Sequence, residues 1–253
     1  MSLARAKFLT LKELGKEYDE SLADSPNNVL GLEYTKALLS LNSPTAIYPV
    51  LRDGGHNDKA LKKGITSALS IRNAIKTERT KKAKKSMPEY VYNDLGDYPF
   101  IYDKIAMAKL ITTVPSELAK IADCTEGLEN RIKALSKDNI SVESLVAKAT
   151  TKRYTSSRIR RILLSNLLGI KNELVKDCIA EQLYAKVLAV KADGKDIISE
   201  IAKSSSIPLL TRKSDSENLE KAAKKAFETD VVANDLYNLI SGKKENEHRM
   251  LIV

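Results

Sequence analysis

Apolar residues recur at helical spacing through most of this chain. Ile159, Ile162, Leu163 and Leu167 stand at i, i+3, i+4 and i+8, which is one face of an amphipathic helix. Thr155 and Ser156 sit just before them, where an N-cap hydroxyl belongs. Leu30, Tyr34, Leu38 and Leu41 keep a helical spacing behind Ser25-Pro26, a cap followed by proline at the first helical position. Residues 3–22 read as a further helix, and 65–80 (ITSALSIRNAIKTERT) as a helix whose first turn is rich in hydroxyls. From Tyr102 to Leu168 the pattern is helical almost throughout, with starts at Pro115-Ser116, at Glu126–Arg131 and at Ser141 with Ser144 nearby.

The interruptions are as informative. Ala46–Leu51 is β-prone, but Pro49 confines it to an edge strand or a bulged one, and 52–55 (RDGG) is a turn. Met87–Pro99 holds two prolines, Gly96 and several acidic residues, which predicts a loop and a domain boundary. Tyr184–Val190 and Ile207–Thr211 read as two short strands around a helix over 196–203, and Ser216–Leu239 returns to helix. The expected fold is mainly α with a small α/β part. Its parts are 1–86, a helical domain over 87–183, and a small α/β and helical tail over 184–253.

Composition agrees with this picture and adds a partner class. The 253 residues are 43% hydrophobic and 30% charged, enough apolar content for a real core in a helix-rich protein. There is no Trp, so any stacking on a base falls to Tyr, Phe or Arg. With 42 basic against 33 acidic side chains the net charge is +9, which favours an anionic partner, nucleic acid before membrane. The cations cluster at 76–85 and at 152–161. Cys124 and Cys178 have no CxxC spacing, so the expectation is buried thiols in a reducing cytoplasm, without zinc or disulfides. Charges run through the apolar positions of the first sixteen residues and no run of about 18 apolar residues occurs, so the sequence predicts neither a signal peptide nor a membrane span.

Candidate chemistry is narrow. Two histidines, His56 and His248, cannot assemble a triad or a metal cluster; His56, after a double glycine, is either at a pocket rim or simply solvated. In 65–72 (ITSALSIR), Thr66, Ser67 and Ser70 bring hydroxyls to a helix start, where free N–H groups and the dipole attract anions, and Arg72 follows with a guanidinium suited to phosphate. The alternative is a hydroxyl-capped helix with a surface arginine. Lys152, Arg153, Arg158, Arg160 and Arg161 crowd the start of the 156–168 helix, where the dipole disfavours cations by roughly 0.3–1 kcal/mol each. Something acidic must offset them: carboxylates from neighbouring helices or the phosphates of a partner.

Six stretches taken together resemble one family. SPNNVLGLEYTKAL (25–38), PVLRDGGHND (49–58), ITSALSIRNAI (65–75), EGLENRIK (126–133), KRYTSSRIRRILLSNLL (152–168) and SSIPLLT (205–211) are similar, in that order, to the carboxy-terminal two thirds of the bacterial tRNA cytidine acetate ligases and their archaeal relatives. The resemblance implies a remnant of a Rossmann-like nucleotidyltransferase domain over 1–86, a tRNA-binding helical domain and a short tail. It further implies an enzyme that activates acetate with ATP, with magnesium possible, as acetyl adenylate and acetylates N4 of the wobble cytidine of elongator methionine tRNA. Asn27, Arg52, Asp53, Ser67, Ser70 and Arg72 would face ATP, and Lys152, Arg153, Arg158, Arg160 and Arg161 the tRNA. Two departures stand out. The family's amino-terminal HxGH motif has no counterpart around His56 or His248, which implies a fragment or a truncated or split protein, inactive alone. Leu69 stands where the family usually has Thr, which removes one phosphate ligand. The alternatives are a non-catalytic RNA-binding protein of the same fold, or an adenylyltransferase with another substrate.

Overall fold

The computed structural model describes residues 9–10, 12–15, 26–51, 59–62, 66–77, 80–93, 101–139, 141–242, 244 and 248–253. The chain divides into two compact units, Met1–Asp94 and Leu95–Val253. Of the expected helix over 3–22, most residues lie outside the described ones, as does the turn at 52–55.

In the first unit, α1 (Pro26–Ser40) begins on the proline that its fixed φ prepares for a first helical turn. The strand expected over 46–51 is not there: residues 43–51 are irregular and Tyr48, Val50 and Leu51 are exposed. A β-prone stretch becomes a strand only when a neighbour takes its ladder of hydrogen bonds, and among the described residues of this unit there is no strand to do so. The helix expected over 65–80 is shorter, α2 (Ala68–Lys76). Thr77 is its C-cap, with both its N–H (3.1 Å) and its hydroxyl (2.9 Å) donating to Asn73 O. The lysine run then forms α3 (Thr80–Lys84), pinned by fully buried Ala83. The expected 87–99 loop also contains a helical turn, α4 (Glu89–Asn93), started by Pro88, whose carbonyl accepts from Tyr92 N at 3.1 Å.

The second unit is a helical bundle with a small mixed tail. Its bundle runs α5 (Ile101–Thr112), α6 (Pro115–Leu118), α7 (Leu128–Ser136), α8 (Val142–Ala149), α9 (Ser156–Leu168) and α10 (Asn172–Ala180). Leu110, Leu118, Leu128, Ile132, Leu145, Ile159 and Ile162 are fully buried in one cluster, with Leu167 packed against it. The periodic face expected of the 156–168 helix is therefore its core face. Ser141 Oγ accepts from Ser144 N at 3.2 Å at the start of α8, and Thr155 Oγ1 from Arg158 N at 3.3 Å at the start of α9. Each closes an orphan donor that would otherwise cost about 1 kcal/mol. Gly169 ends α9 at φ 72°, a left-handed position that glycine adopts without a Cβ penalty.

Two cations close the other helix ends. Lys133 donates through Nζ to Leu110 O (2.9 Å) and Ile111 O (3.0 Å) at the carboxy-terminal end of α5. Arg131 donates to Ala149 O (3.0 Å) and Lys148 O (2.9 Å) at the end of α8. Cations belong at this negative end of the dipole, and here they also satisfy carbonyls left without an intrahelical partner.

Among the described residues the tail holds four two-residue strands. β1 (Ala185–Lys186) pairs in parallel with β3 (Leu209–Leu210), and β2 (Ala189–Val190) in parallel with β4 (Leu251–Ile252). The first expected strand is thus split into β1 and β2, and β4 is a strand that the sequence reading missed. Between them lie α11 (Lys195–Ser204) and α12 (Lys221–Ser241), the latter preceded by a 3-10 turn over Lys213–Asn218 where continuous helix was expected. Asp215 caps the start of that turn: its Oδ2 accepts from Thr211 N (2.8 Å), Thr211 Oγ1 (2.9 Å) and Arg212 N (3.1 Å). Burial would raise its carboxyl pKa, but these bonds hold it below the usual range. Leu210, Leu219, Ala223 and Phe227 form a second small core, on which His248 packs with its ring 5.3 Å from that of Phe227.

Candidate functional site

Two clusters carry the candidate chemistry, one in each unit. In the first, Ser67 is the N-cap of α2 and accepts from Ser70 N at 3.1 Å. Thr66 Oγ1 lies 2.7 Å from Ser70 Oγ, which donates to Ser67 O at 2.7 Å. Ser67 and Ser70 are buried. Their hydroxyls therefore shape the helix start, with Ser70 N taken up by the cap, so that of the first turn the N–H groups of Ala68 and Leu69 are the ones that could meet an anion. Ser70 also lines a cavity of about 300 Å³ with Lys59, Leu61, Asn73, Thr77 and Lys82. Ala60 and Ala74 complete a lining that is mainly apolar, with two lysines, an amide and two hydroxyl residues among it. Arg72 and Asn27 are exposed and do not line this cavity. Arg52, Asp53 and His56 lie outside the described residues.

In the second unit, the structure brings Arg153, Arg158, Arg160 and Arg161 together at the start of α9 and supplies their counter-charges from the protein itself. Arg153 Nη2 lies 3.2 Å from Glu126 Oε1. Arg158 donates to Asp123 O (3.0 Å) and Thr125 Oγ1 (2.6 Å) and lies 3.5 Å from Glu126 Oε2. Arg160 Nη2 reaches both oxygens of Glu143 at 3.0 and 2.9 Å. Arg161 grips Asp123 Oδ2 with Nε and Nη2. Lys152 is exposed beside them.

Tyr154 completes the corner. Its hydroxyl donates to Glu126 O at 2.9 Å, and the guanidinium carbons of Arg153 and Arg158 lie 5.7 and 5.6 Å from its ring centroid, within cation–π range. Asp123 and Glu126 hold φ of +70° and +64°, left-handed conformations that residues with a Cβ adopt at a cost. The hydrogen bond from Arg153 holds the Glu126 carboxyl below its usual pKa.

The arginines thus have a structural role as well as an available one. Arg158 is the anchor, its side chain only 19% exposed, whereas that of Arg161 is 60% exposed. Their acidic partners were not singled out by the sequence reading, and neither was Tyr154. Asp123, Glu126 and Glu143 all precede the arginine run by 17 or more residues, so no local pattern announces the pairing.

Cys124 is buried, and burial pushes its thiol up to about 12. Among the described residues no three His, Cys, Asp or Glu side chains gather as a metal would require, and no helix is long and apolar enough to cross a membrane.

The described residues thus form a mainly helical chain with a hydroxyl-capped helix start, a cavity along α2 and an arginine-rich corner. The HIGH nucleotidyl transferase family model matches residues 1–250, and the chain belongs to that family. It is 32% identical over 249 residues to the tRNA(Met) cytidine acetate ligase of Caldanaerobacter subterraneus, covering 94% of this chain and 61% of the relative. To the tRNA(Met) cytidine acetate ligase of Clostridium perfringens it is 31% identical over 233 residues, covering 88% and 56%. The chain therefore spans about 60% of the length of these curated relatives.

Among solved structures, apo TmcAL of Thermotoga maritima superposes with a TM-score of 0.86 at 22% identity, over 98% of this chain and 66% of that one. The same protein bound with alpha-thio ATP gives 0.83 at 22% identity, over 100% and 67%. The likeness places this chain in the nucleotidyltransferase-like fold.

Proposed function

We propose that this chain is part of an ATP-dependent ligase that acetylates tRNA, supplying the tRNA-binding surface and part of the ATP site. The observation that carries this reading is the match of nearly the whole chain to tRNA(Met) cytidine acetate ligases. The fold neighbour bound with alpha-thio ATP supports the nucleotide.

In the proposed reaction, an acetate oxygen attacks the α-phosphorus of ATP and pyrophosphate leaves, giving acetyl adenylate. The N4 amine of the wobble cytidine of elongator methionine tRNA then attacks the acetyl carbonyl, and AMP leaves. The N–H groups of Ala68 and Leu69 at the start of α2, with Lys59 and Lys82 at the cavity along that helix, stabilise charge on the phosphates. Arg72 and Arg52 neutralise the leaving pyrophosphate, Asn27 and Asp53 take the nucleoside, and Ser67 and Ser70 hold the helix start in place. A magnesium ion carried by the triphosphate would share the phosphate charge with Lys59 and Lys82.

Lys152, Arg153, Arg160 and Arg161 meet tRNA phosphates, with Arg158 holding the corner in shape. The division of labour is 1–86 for nucleotide, 87–183 for tRNA and 184–253 as a tail, in the cytoplasm where tRNA is processed. The test is mass spectrometry of tRNA incubated with ATP, acetate and the full-length enzyme. N4-acetylcytidine that requires all three reactants is the expected product. ATP turnover with transfer to another acceptor, or no tRNA modification, contradicts it.

A further inference from the structure

Of the cationic cluster at 76–85, the reading above uses Lys82 alone. Lys81, Lys82, Lys84 and Lys85 are all exposed, on and just after α3, with fully buried Ala83 between them as the anchor. Lys81 and Lys84 stand three residues apart on a single helical turn, where like charges repel. Among the described residues a carboxylate reaches one of the four: Glu89 Oε1 lies 3.5 Å from Lys84 Nζ. The same ammonium sits 5.1 Å from the ring centroid of Tyr92, so α4 is folded back against Lys84. One residue along from Glu89, Tyr90 is 76% exposed.

A solvated helix face accounts for lysines but not for a bare aromatic beside them, since tyrosine ordinarily buries its ring and wets its hydroxyl. Cations around an open aromatic face suit a single-stranded nucleic acid: ammonium groups follow the phosphates and an unstacked base lies on the ring. A duplex offers no free base face, and an acidic protein segment would take the lysines and leave the ring unused.

We infer that Lys81, Lys85 and Tyr90 hold the anticodon loop of the tRNA, with the adenine that follows the wobble cytidine in the CAU anticodon stacked on Tyr90. The inference rests on the reading of this chain as part of a tRNA-acetylating ligase and adds the place where the acceptor loop sits. Chemistry dictates the placement: N4 of the cytidine must reach the acetyl carbonyl of the adenylate, so the loop that carries it is bound in the unit that holds the nucleotide. Lys82 of the same run lines the cavity along α2, α3 packs on α2, and all of these residues belong to the unit Met1–Asp94. Holding the neighbouring base on Tyr90 splays the loop and frees the cytidine to turn toward that cavity.

The test is fluorescence titration of the 253-residue chain with three RNAs. These are the anticodon stem-loop of elongator methionine tRNA with 2-aminopurine in place of that adenine, the same stem closed as an uninterrupted duplex, and the whole tRNA. The expected result is tighter binding of the stem-loop than of the duplex, with a change in 2-aminopurine emission as the base moves onto the ring. Tyr90→Ala should weaken stem-loop binding roughly tenfold and abolish that change, whereas Tyr90→Phe should keep both, since the ring and not the hydroxyl stacks. Lys81→Gln with Lys85→Gln should lower the salt slope by about 0.7 per lysine and leave the emission change in place. Melting temperatures of these variants should match the parent, because all three side chains are exposed. Whole tRNA bound while the stem-loop is ignored, or stem-loop binding that Tyr90→Ala leaves unchanged, overturns the inference and leaves the ligase reading standing. No binding of any RNA overturns both. Polyglutamate that displaces the stem-loop as well as RNA of equal charge does would assign the patch to an acidic protein and likewise overturn the inference.

Discussion

Arg161 holds Asp123 with two donors on one carboxylate oxygen, Nε at 2.9 Å and Nη2 at 2.6 Å, across 38 residues of chain. The pair ties the start of α9 to a loop whose backbone is held left-handed at both Asp123 and Glu126. A helix start loaded with cations is thereby stabilised by acids from outside it, and the same cations remain at the surface where a polyanion can reach them.

That arrangement separates the arginines by role. Arg158→Ala removes the donors to Asp123 O and Thr125 Oγ1 and should cost about 1–3 kcal/mol, read as a lower melting temperature. Arg160→Ala loses an exposed pair with Glu143, worth about 0–1 kcal/mol, and should leave stability nearly unchanged while weakening tRNA binding. Equal stability losses for the two variants would contradict the division.

Acid should loosen the same corner. The Glu126 carboxyl is depressed by its hydrogen bond from Arg153, so its stabilising contribution is present above the ordinary Glu pKa of about 4.3 and is lost as pH falls through the folded value. Glu126→Gln should therefore lower the melting temperature at pH 7, and the gap to the parent protein should close as pH falls below about 4. A gap that persists or widens at low pH would show that Glu126 acts through shape and not charge.

Lys133→Ala leaves Leu110 O and Ile111 O without their ammonium donor. The expected loss is about 1 kcal/mol, with faster amide hydrogen exchange in the last turn of α5 than in α8. Unchanged exchange in α5 would mean that water replaces the cap at no cost.

Leu145→Ala empties a fully buried position in the bundle core and should cost about 2–5 kcal/mol. Both thiols are pushed up by burial, Cys124 to about 12, and Cys124 is the buried one. Iodoacetamide at pH 8 should therefore label Cys178 before Cys124, and Leu145→Ala should narrow that difference by opening the bundle.

The bundle was readable because its signals are local. Four residues at helical spacing announce the core face of α9, and Ser141 and Thr155 cap helices a few residues from where they stand. The arginine corner was not readable to the same depth. Its acids come from 17 to 38 residues away, and the left-handed turns at Asp123 and Glu126 use residues that do not announce them. Residues 46–51 show the converse failure: strand propensity was present, but a strand is a relation between segments. β4 was missed because two residues at the end of a chain carry no period, and their pairing with Ala189–Val190 spans some 60 residues. The hydroxyl-capped start of α2 was legible, whereas the cavity along that helix joins it to Lys59, Leu61 and Lys82, residues that no local pattern links to it.

The measurement that bears most directly on the proposed role is fluorescence anisotropy of labelled elongator methionine tRNA and of an unrelated tRNA, titrated with this chain across a salt series. Binding that prefers the methionine tRNA, falls steeply with salt, and loses slope in Arg160→Ala and Lys152→Ala is the predicted result, since each phosphate contact adds about one unit to the slope. No binding near physiological salt, or equal weak binding to both RNAs that these substitutions leave untouched, would contradict it and leave the arginine corner as a device of the fold alone.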